Sequence, residues 1–186
     1  MRVISGILKG KKLSFLKSSN TRPLKDIVRE SIFNVIAHSN LVEIKIKDSE
    51  ILDMYSGIGS FGIECISRGA KNVTFVENDK DALTVLNKNL NNLSIKEKAF
   101  LFPGKTDLFL NQIKKEKKFD IIFFDPPFAE DSFKDELKLI KNLKLFKKKH
   151  LVIIHRDKKN QENLESLLKT ILIKDYGRSK IIFGII

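Results

Sequence analysis

The chain has 186 residues, a formal net charge of +12 and a single cysteine, Cys65, which excludes an intramolecular disulfide and any multi-cysteine zinc site. No run of about 18 apolar residues occurs, so neither a signal peptide nor a membrane span is expected, and a cytoplasmic location follows. The three histidines, His38, His150 and His155, lack metal-ligand spacing, so no catalytic metal is expected. The length fits one domain, 1–186, with a basic extension over 1–20 and a core over 21–186. The excess of Lys and Arg favours a polyanionic partner, with coding bias as the competing explanation for part of the lysine count.

Two short apolar segments, Arg2 to Ile4 and Lys12 to Leu16, are separated by turn signals at Gly6 and Gly10 and predict a β-hairpin. From Met1 to Lys25 the basic residues include Arg2, Lys9, Lys11, Lys12 and Arg22, with no acid among them. That segregation points to RNA or DNA contact. Leu24 to Ala37 carries Ile27, Val28, Ser31, Ile32, Val35 and Ile36 at helical spacing, with Pro23 suited to the first turn. Arg29 and Glu30 fall toward its polar side, where a solvated ion pair and a substrate contact are both open.

Strand and helix patterns then alternate. Strands are expected at Ile51 to Met54, Val73 to Val76, Ala99 to Phe102, Phe119 to Phe124 and Leu151 to Ile154. Helices are expected at Phe61 to Ser67, Asp79 to Asn91, Asp107 to Ile113, Ser132 to Asn142 and Gln161 to Thr170. Continuously apolar strands between helices imply a parallel sheet covered on both faces. Ile171 to Asp175 and Lys180 to Ile185, around a turn at Tyr176-Gly177, read as a closing antiparallel hairpin. Monomer is the default state.

Between the first strand and its helix lies Asp53-Met54-Tyr55-Ser56-Gly57-Ile58-Gly59-Ser60-Phe61-Gly62, a G-x-G-x-x-G run in strand-loop-helix context. Glu77 follows Gly57 by twenty residues, where an acid takes the ribose hydroxyls of an adenosine-type cofactor. Asp53 argues against a dinucleotide, because its carboxylate would face the pyrophosphate. S-adenosylmethionine carries an ammonium and a sulfonium and no phosphate, so there the acid attracts. A helix cap is the alternative role for Asp53, and a surface acid that for Glu77. Tyr55 in the loop and Asn78 after Glu77 are assigned to the same cofactor site. The backbone at Lys105 and Thr106, after the third strand, is placed against adenine, with an N-cap role open for Thr106.

The strand Phe119 to Phe124 runs into Asp125-Pro126-Pro127-Phe128. Proline removes a donor and pushes the preceding residue to extended geometry, so the strand stops with carbonyls unpaired. The Asp125 carboxylate and the Pro126 carbonyl can accept hydrogen bonds from a planar amine while Phe128 stacks on its ring. A strand-ending turn is the plain alternative.

With these residues in view, the chain resembles the bacterial 16S ribosomal RNA guanine-N2 methyltransferases, of the Rossmann-like S-adenosylmethionine-dependent class, over nearly its whole length. The resemblance rests on Arg2 to Gly6 with Gly10 to Leu13, on Arg22-Pro23, Asp26, Val28 to Ser31 and Phe33-Asn34, and on Leu52-Asp53, Gly57 to Gly59, Gly62, Glu64 and Ser67 to Ala70. Asp125 to Phe128 and Tyr176-Gly177 complete it. Leu24 stands where members of that family commonly carry threonine, and Lys105 where they more usually carry Asp or Asn, which weakens a side-chain role for Lys105 in adenine binding.

The resemblance implies an α/β fold with a seven-stranded sheet in the order 3-2-1-4-5-7-6 and helices on both faces. It implies methyl transfer to N2 of a guanine, of the type at position 966, in 16S rRNA within the small ribosomal subunit or an assembly intermediate. Asp125, Pro126, Pro127 and Phe128 would be catalytic, with Arg2, Lys9, Lys11, Lys12, Arg22 and Arg29 on the RNA. An adenine-N6 methyltransferase shares the tetrapeptide and is the nearest rival. A glutamine-N5 protein methyltransferase, a non-catalytic RNA-binding assembly factor and an NAD-dependent oxidoreductase are further alternatives.

Overall fold

A computed structural model describes residues 1–16 and 24–186. Seven strands form one sheet in the order β3-β2-β1-β4-β5-β7-β6. They are β1 (Glu50–Met54), β2 (Asn72–Glu77), β3 (Ala99–Pro103), β4 (Phe119–Phe124), β5 (Phe146–Asp157), β6 (Lys169–Tyr176) and β7 (Ser179–Ile185). The first five pair in parallel, and β7 runs antiparallel between β5 and β6. The helices are α1 (Asp26–His38), α2 (Ser60–Ser67), α3 (Lys80–Asn92), α4 (Thr106–Gln112) and α5 (Phe133–Leu143). The expected architecture and strand order are therefore observed.

Alternation along the central strands divides the core into two layers. Ile51, Ile121, Phe123, Leu151 and Ile153 face one cluster, where Phe33, Phe61 and Phe123 stack at centroid spacings of 5.3 and 4.1 Å. Leu52, Met54, Ile122, Phe124, Val152 and Ile154 face the other, with Phe133, Leu137 and Ile140 of α5. Burial on both faces explains why these strands read as unbroken apolar runs.

The N-terminal segment reverses as expected but forms one isolated antiparallel bridge, Arg2 to Lys12, rather than two strands. Side chains of the core hold it in place. Both oxygens of Glu64 accept backbone N–H bonds, from Ile4 at 2.7 Å and Ser5 at 2.9 Å. Asn89 Oδ1 accepts from Ser14 N–H at 2.8 Å. Val3 and Leu13 are buried in the core, whereas Arg2, Lys9, Lys11 and Lys12 are exposed.

Two expectations require correction. Arg29 does not lie on a polar face: its side chain is fully buried, so it is not an RNA contact. Its guanidinium donates to the Arg2 and Ser60 carbonyls and pairs with Asp26 at 3.0 Å, and burial pulls its pKa down. Helical spacing places position 29 with Ile32, Phe33 and Ile36, which is the buried stripe. The segment Gln161 to Thr170, expected as a helix, contains a turn at Leu164 to Leu168 and then enters β6. Glu162 is tied to Arg156 at 2.7 Å, and β6 begins at Lys169 by pairing with Ile185, so too few free residues remain for two helical turns. Arg22 lies outside the described residues.

Candidate active site

The site lies along the edge where the parallel strands end, as in other open α/β sheets. Asp53, one residue before the end of β1, is 1% exposed. Its Oδ2 accepts the Gly62 N–H at 3.0 Å, while Oδ1 is buried without a partner. Burial raises the Asp53 pKa well above the usual carboxylate range, and the charges of Asp125 and Glu77 push the same way. The three acids stand at the ends of the neighbouring strands β2, β1 and β4.

The glycine loop follows. Gly59 has φ +82° and leads into α2, and a Cβ there would lie 2.3 Å from Leu86 Cδ1. Gly62 lets α2 approach the sheet, since a Cβ would lie 2.3 Å from the Phe75 ring. Its tie to the cofactor site runs through the N–H bond to Asp53. Gly57 N–H donates to Glu77 Oε2 at 2.6 Å, and the Asn78 and Asp79 N–H groups donate to Oε1 at 2.9 Å each. Glu77 is thus held by three backbone donors beside the loop.

A cavity of about 420 Å³ opens next to it, within the usual size range of small-molecule sites. Tyr55, Glu77, Asn78, Lys105, Thr106 and Glu136 are among its lining residues. Tyr55, at φ +62°, is a left-handed non-glycine residue, a strained conformation common at functional sites. Its hydroxyl donates to Glu136 at 2.7 Å. Thr106 also donates to Glu136, and it is the first residue of α4 rather than its cap, which is Lys105. Burial raises the pKa of Glu136, and burial raises that of Tyr55 as well. Glu136 was not anticipated, because its helix reads from sequence as a solvated lysine face.

Five lining carboxyl groups, from Glu77, Asp107, Glu130, Asp135 and Glu136, face one lysine, Lys105. In a chain of net charge +12 this is an acidic pocket, which repels phosphate and suits a cation. Once ionised, the unpaired Asp53 Oδ1 can only accept, so an ammonium fits it. The residues present therefore fit S-adenosylmethionine and disfavour a dinucleotide.

Asp125 to Phe128 stand beyond β4, outside the lining of this cavity. Met54 aligns with Phe124, and Asp125 N–H donates to the Met54 carbonyl at 3.3 Å, which places the tetrapeptide beside the glycine loop. The loop that follows is clamped by Arg156, which is 1% exposed. Arg156 donates to the Pro127 carbonyl at 3.0 Å and the Phe128 carbonyl at 3.2 Å, pairs with Glu162 at 2.7 Å, and covers the Phe133 ring at 4.6 Å. Asn160 donates to the Phe128 carbonyl at 2.9 Å. The Pro126 carbonyl has no donor among the described residues.

His155 and Arg156 were missed because the expected strand stops at Ile154, whereas β5 continues to Asp157. A usable signal was present: two polar residues directly after an apolar strand fall on the ligand-binding edge. Among the described residues no cluster of three or more His, Cys, Asp or Glu could hold a metal, and no helix is long and apolar enough to cross a membrane.

Comparison with known proteins bears on the family and the fold. A family model described as "Conserved hypothetical protein 95" matches residues 1–185. "Ribosomal RNA small subunit methyltransferase D" of Haemophilus influenzae is 35% identical over 159 residues, covering 85% of this chain and 79% of the relative. The protein of the same name from Buchnera aphidicola (Acyrthosiphon pisum) is 36% identical, covering 84% and 78%. A solved structure described as "Putative methyltransferase yhhF from Escherichia coli" superposes with a TM-score of 0.83 at 26% identity, covering 99% of this chain and 96% of that one. A match from end to end by the family model, joined to a shared fold and relatives of near-equal length, means that the chain belongs to the ribosomal RNA small subunit methyltransferase D family.

Proposed function

We propose that this methyltransferase modifies the exocyclic N2 of one guanine, of the 966 type, in 16S rRNA of the small ribosomal subunit, using S-adenosylmethionine and acting as a cytoplasmic monomer. The observation that carries the reading is the corner at Asp125: the neighbouring Pro127 and Phe128 carbonyls are taken by Arg156 and Asn160, while the Pro126 carbonyl meets no described donor. Two acceptors, the Asp125 carboxylate and that carbonyl, then remain for an amine with two N–H groups. S-adenosylmethionine supplies, when bound, an electrophilic methyl carbon on a sulfonium.

Asp53 Oδ1 would hold its ammonium, Glu77 its ribose hydroxyls, and the acidic cavity its adenosine. A guanine amine is a weak nucleophile because its lone pair is delocalised into the ring, so holding it in line supplies much of the rate. Asp125 stabilises the positive charge that nitrogen gains, and Phe128 stacks on the base, which must be looped out of its helix. Arg2, Lys9, Lys11 and Lys12 form an exposed basic segment that would grip nearby phosphates. The one-domain division, with residues 1–20 as its extension, belongs to the same proposal.

The choice of guanine rests on the family resemblance, since the corner would also admit an adenine amine. The test is incubation with labelled S-adenosylmethionine and either small subunits, free 16S rRNA or DNA, followed by nucleoside analysis. Label in N2-methylguanosine is the expected result. Label confined to N6-methyladenosine overturns the assignment, and absence of any S-adenosylmethionine binding by calorimetry overturns the methyl-transfer reading itself.

A further inference from the structure

The Asp125 carboxylate is one end of a hydrogen-bonded chain. Its Oδ1 is 2.7 Å from His155 Nδ1, and His155 Nε2 is 2.9 Å from Ser179 Oγ. The register explains the meeting. Phe124 aligns with Ile154 across β4 and β5, so the next pair, Asp125 and His155, stand side by side on the same face of the sheet. Ser179 opens β7, where the antiparallel pairing with β5 brings it opposite Asp157, two residues from His155 and on the same side.

Exposure orders these groups from outside to inside. The Asp125 side chain is 22% exposed and that of His155 9%, so the imidazole lies behind the carboxylate and away from solvent. Asp125 Oδ1 pairs with Nδ1, and Nε2 pairs with the Ser179 hydroxyl, which can donate or accept. Each ring nitrogen thus has a hydrogen-bond partner. Phe128 meets the same imidazole edge-on, with centroids 5.2 Å apart and planes at 81°. One ring thus touches both the group that would receive the amine and the group that would stack on the base.

We propose that His155 is a positioning residue for methyl transfer: anchored by Ser179, it occupies Oδ1 of Asp125 and braces Phe128, which leaves Oδ2 and the aromatic face at a fixed angle to the target amine. The inference rests on the reading of Asp125 and Phe128 as the amine and base contacts. Without His155 the carboxylate is free to turn about its side-chain bonds, and geometry needed only at the reacting centre is lost. RNA affinity comes mostly from phosphate contacts elsewhere, so the loss falls on kcat rather than KM.

Two variants separate positioning from packing. His155→Leu keeps apolar volume and removes the donor, whereas His155→Asn sets an amide N–H near the place of Nδ1. We expect His155→Leu to lower the single-turnover rate about 10- to 100-fold, with S-adenosylmethionine Kd and RNA KM within about twofold of the parent. His155→Asn should recover the rate to within about fivefold of the parent, and Ser179→Ala added to His155→Leu should cost nothing more, because one device is already broken.

A parental rate in His155→Leu, with or without a lower Tm, overturns the inference, as does a folded His155→Asn no better than His155→Leu. Should His155→Leu not fold, Ser179→Ala and His155→Asn decide it: parental rates in Ser179→Ala, or an Asn variant slowed more than about 10-fold, overturn it. If the parent chain methylates neither free 16S rRNA nor small subunits, the functional reading fails and this inference with it. If the parent methylates and His155→Leu is unimpaired, the inference alone fails.

Discussion

At the cofactor end of the site, Asp53 and Glu77 are held by backbone N–H groups from within 20 residues of each acid, whereas at the substrate end the tetrapeptide is held by side chains 28 to 32 residues further on. The first arrangement is two neighbouring strands, β1 and β2, with the loop and helix between them, all within one short stretch of chain. The second needs β5 laid beside β4 in a particular register and β7 brought back against β5. A local motif keeps its shape as long as its own residues do, while the substrate corner inherits its shape from long-range packing. The cofactor end also keeps one buried acceptor, Asp53 Oδ1, without a partner, while the Pro127 and Phe128 carbonyls of the corner are both satisfied.

The sharpest way to divide the two ends is Asp125→Ala. Transfer should fall about 10²–10⁴-fold while S-adenosylmethionine affinity stays within twofold, read by single-turnover rate and calorimetry. Near-normal turnover would remove Asp125 from the mechanism. Arg156→Leu attacks the long-range clamp. It leaves the buried Glu162 carboxylate with only the longer pair to Lys134 at 3.5 Å, so unfolding free energy should drop by about 2–3 kcal/mol in a denaturant titration. A loss below about 1 kcal/mol, the size seen for exposed pairs, would mean that the clamp does not support the corner.

Asp53→Asn probes the opposite end, and its two effects have opposite signs. The folded pKa of Asp53 is raised, so its stability contribution is present below the usual carboxylate range and is lost as pH rises through the raised value. An amide removes that loss, so the variant should melt at least as high as the parent at neutral pH. Its affinity for S-adenosylmethionine should be about 10- to 100-fold weaker, because an ionic hydrogen bond to the ammonium is gone. Parental affinity should strengthen as pH rises through the Asp53 pKa, and a flat profile would contradict this role. The smallest effect is expected at the extension: Lys11→Ala should flatten the salt dependence of RNA binding by about 0.7–0.9 in log–log slope and leave cofactor affinity unchanged.

How far the site was legible follows the same division. The acid, glycines and second acid of the cofactor end occur in order over one β-loop-α-β stretch, and their charge alone argued against a pyrophosphate. Arg29 was misread although its spacing from Ile32, Phe33 and Ile36 marks the buried stripe, because a charged residue was assumed to face water. Buried among carbonyls from Arg2 and Ser60, it instead ties the N-terminal segment to α2. Gln161 to Thr170 carries Leu164, Leu167 and Leu168 at helical spacing, yet contacts to Arg156 and the start of β6 override that local preference.

By itself, the sequence determined the alternation of strands and helices from β1 to β5, the glycine loop with its two acids, and the Asp-Pro-Pro-Phe corner, because hydrophobic period, charge and proline geometry act over a few neighbouring residues. Only the tertiary structure decided what stands behind that corner. His155, Arg156 and Ser179 reach Asp125, Pro127 and Phe128 through pairing between strands far apart in the chain, and Glu136 reaches Tyr55 from another helix. Hydrogen bonds of that kind depend on sheet register, and register is fixed when the whole core closes, not by any stretch of chain read alone.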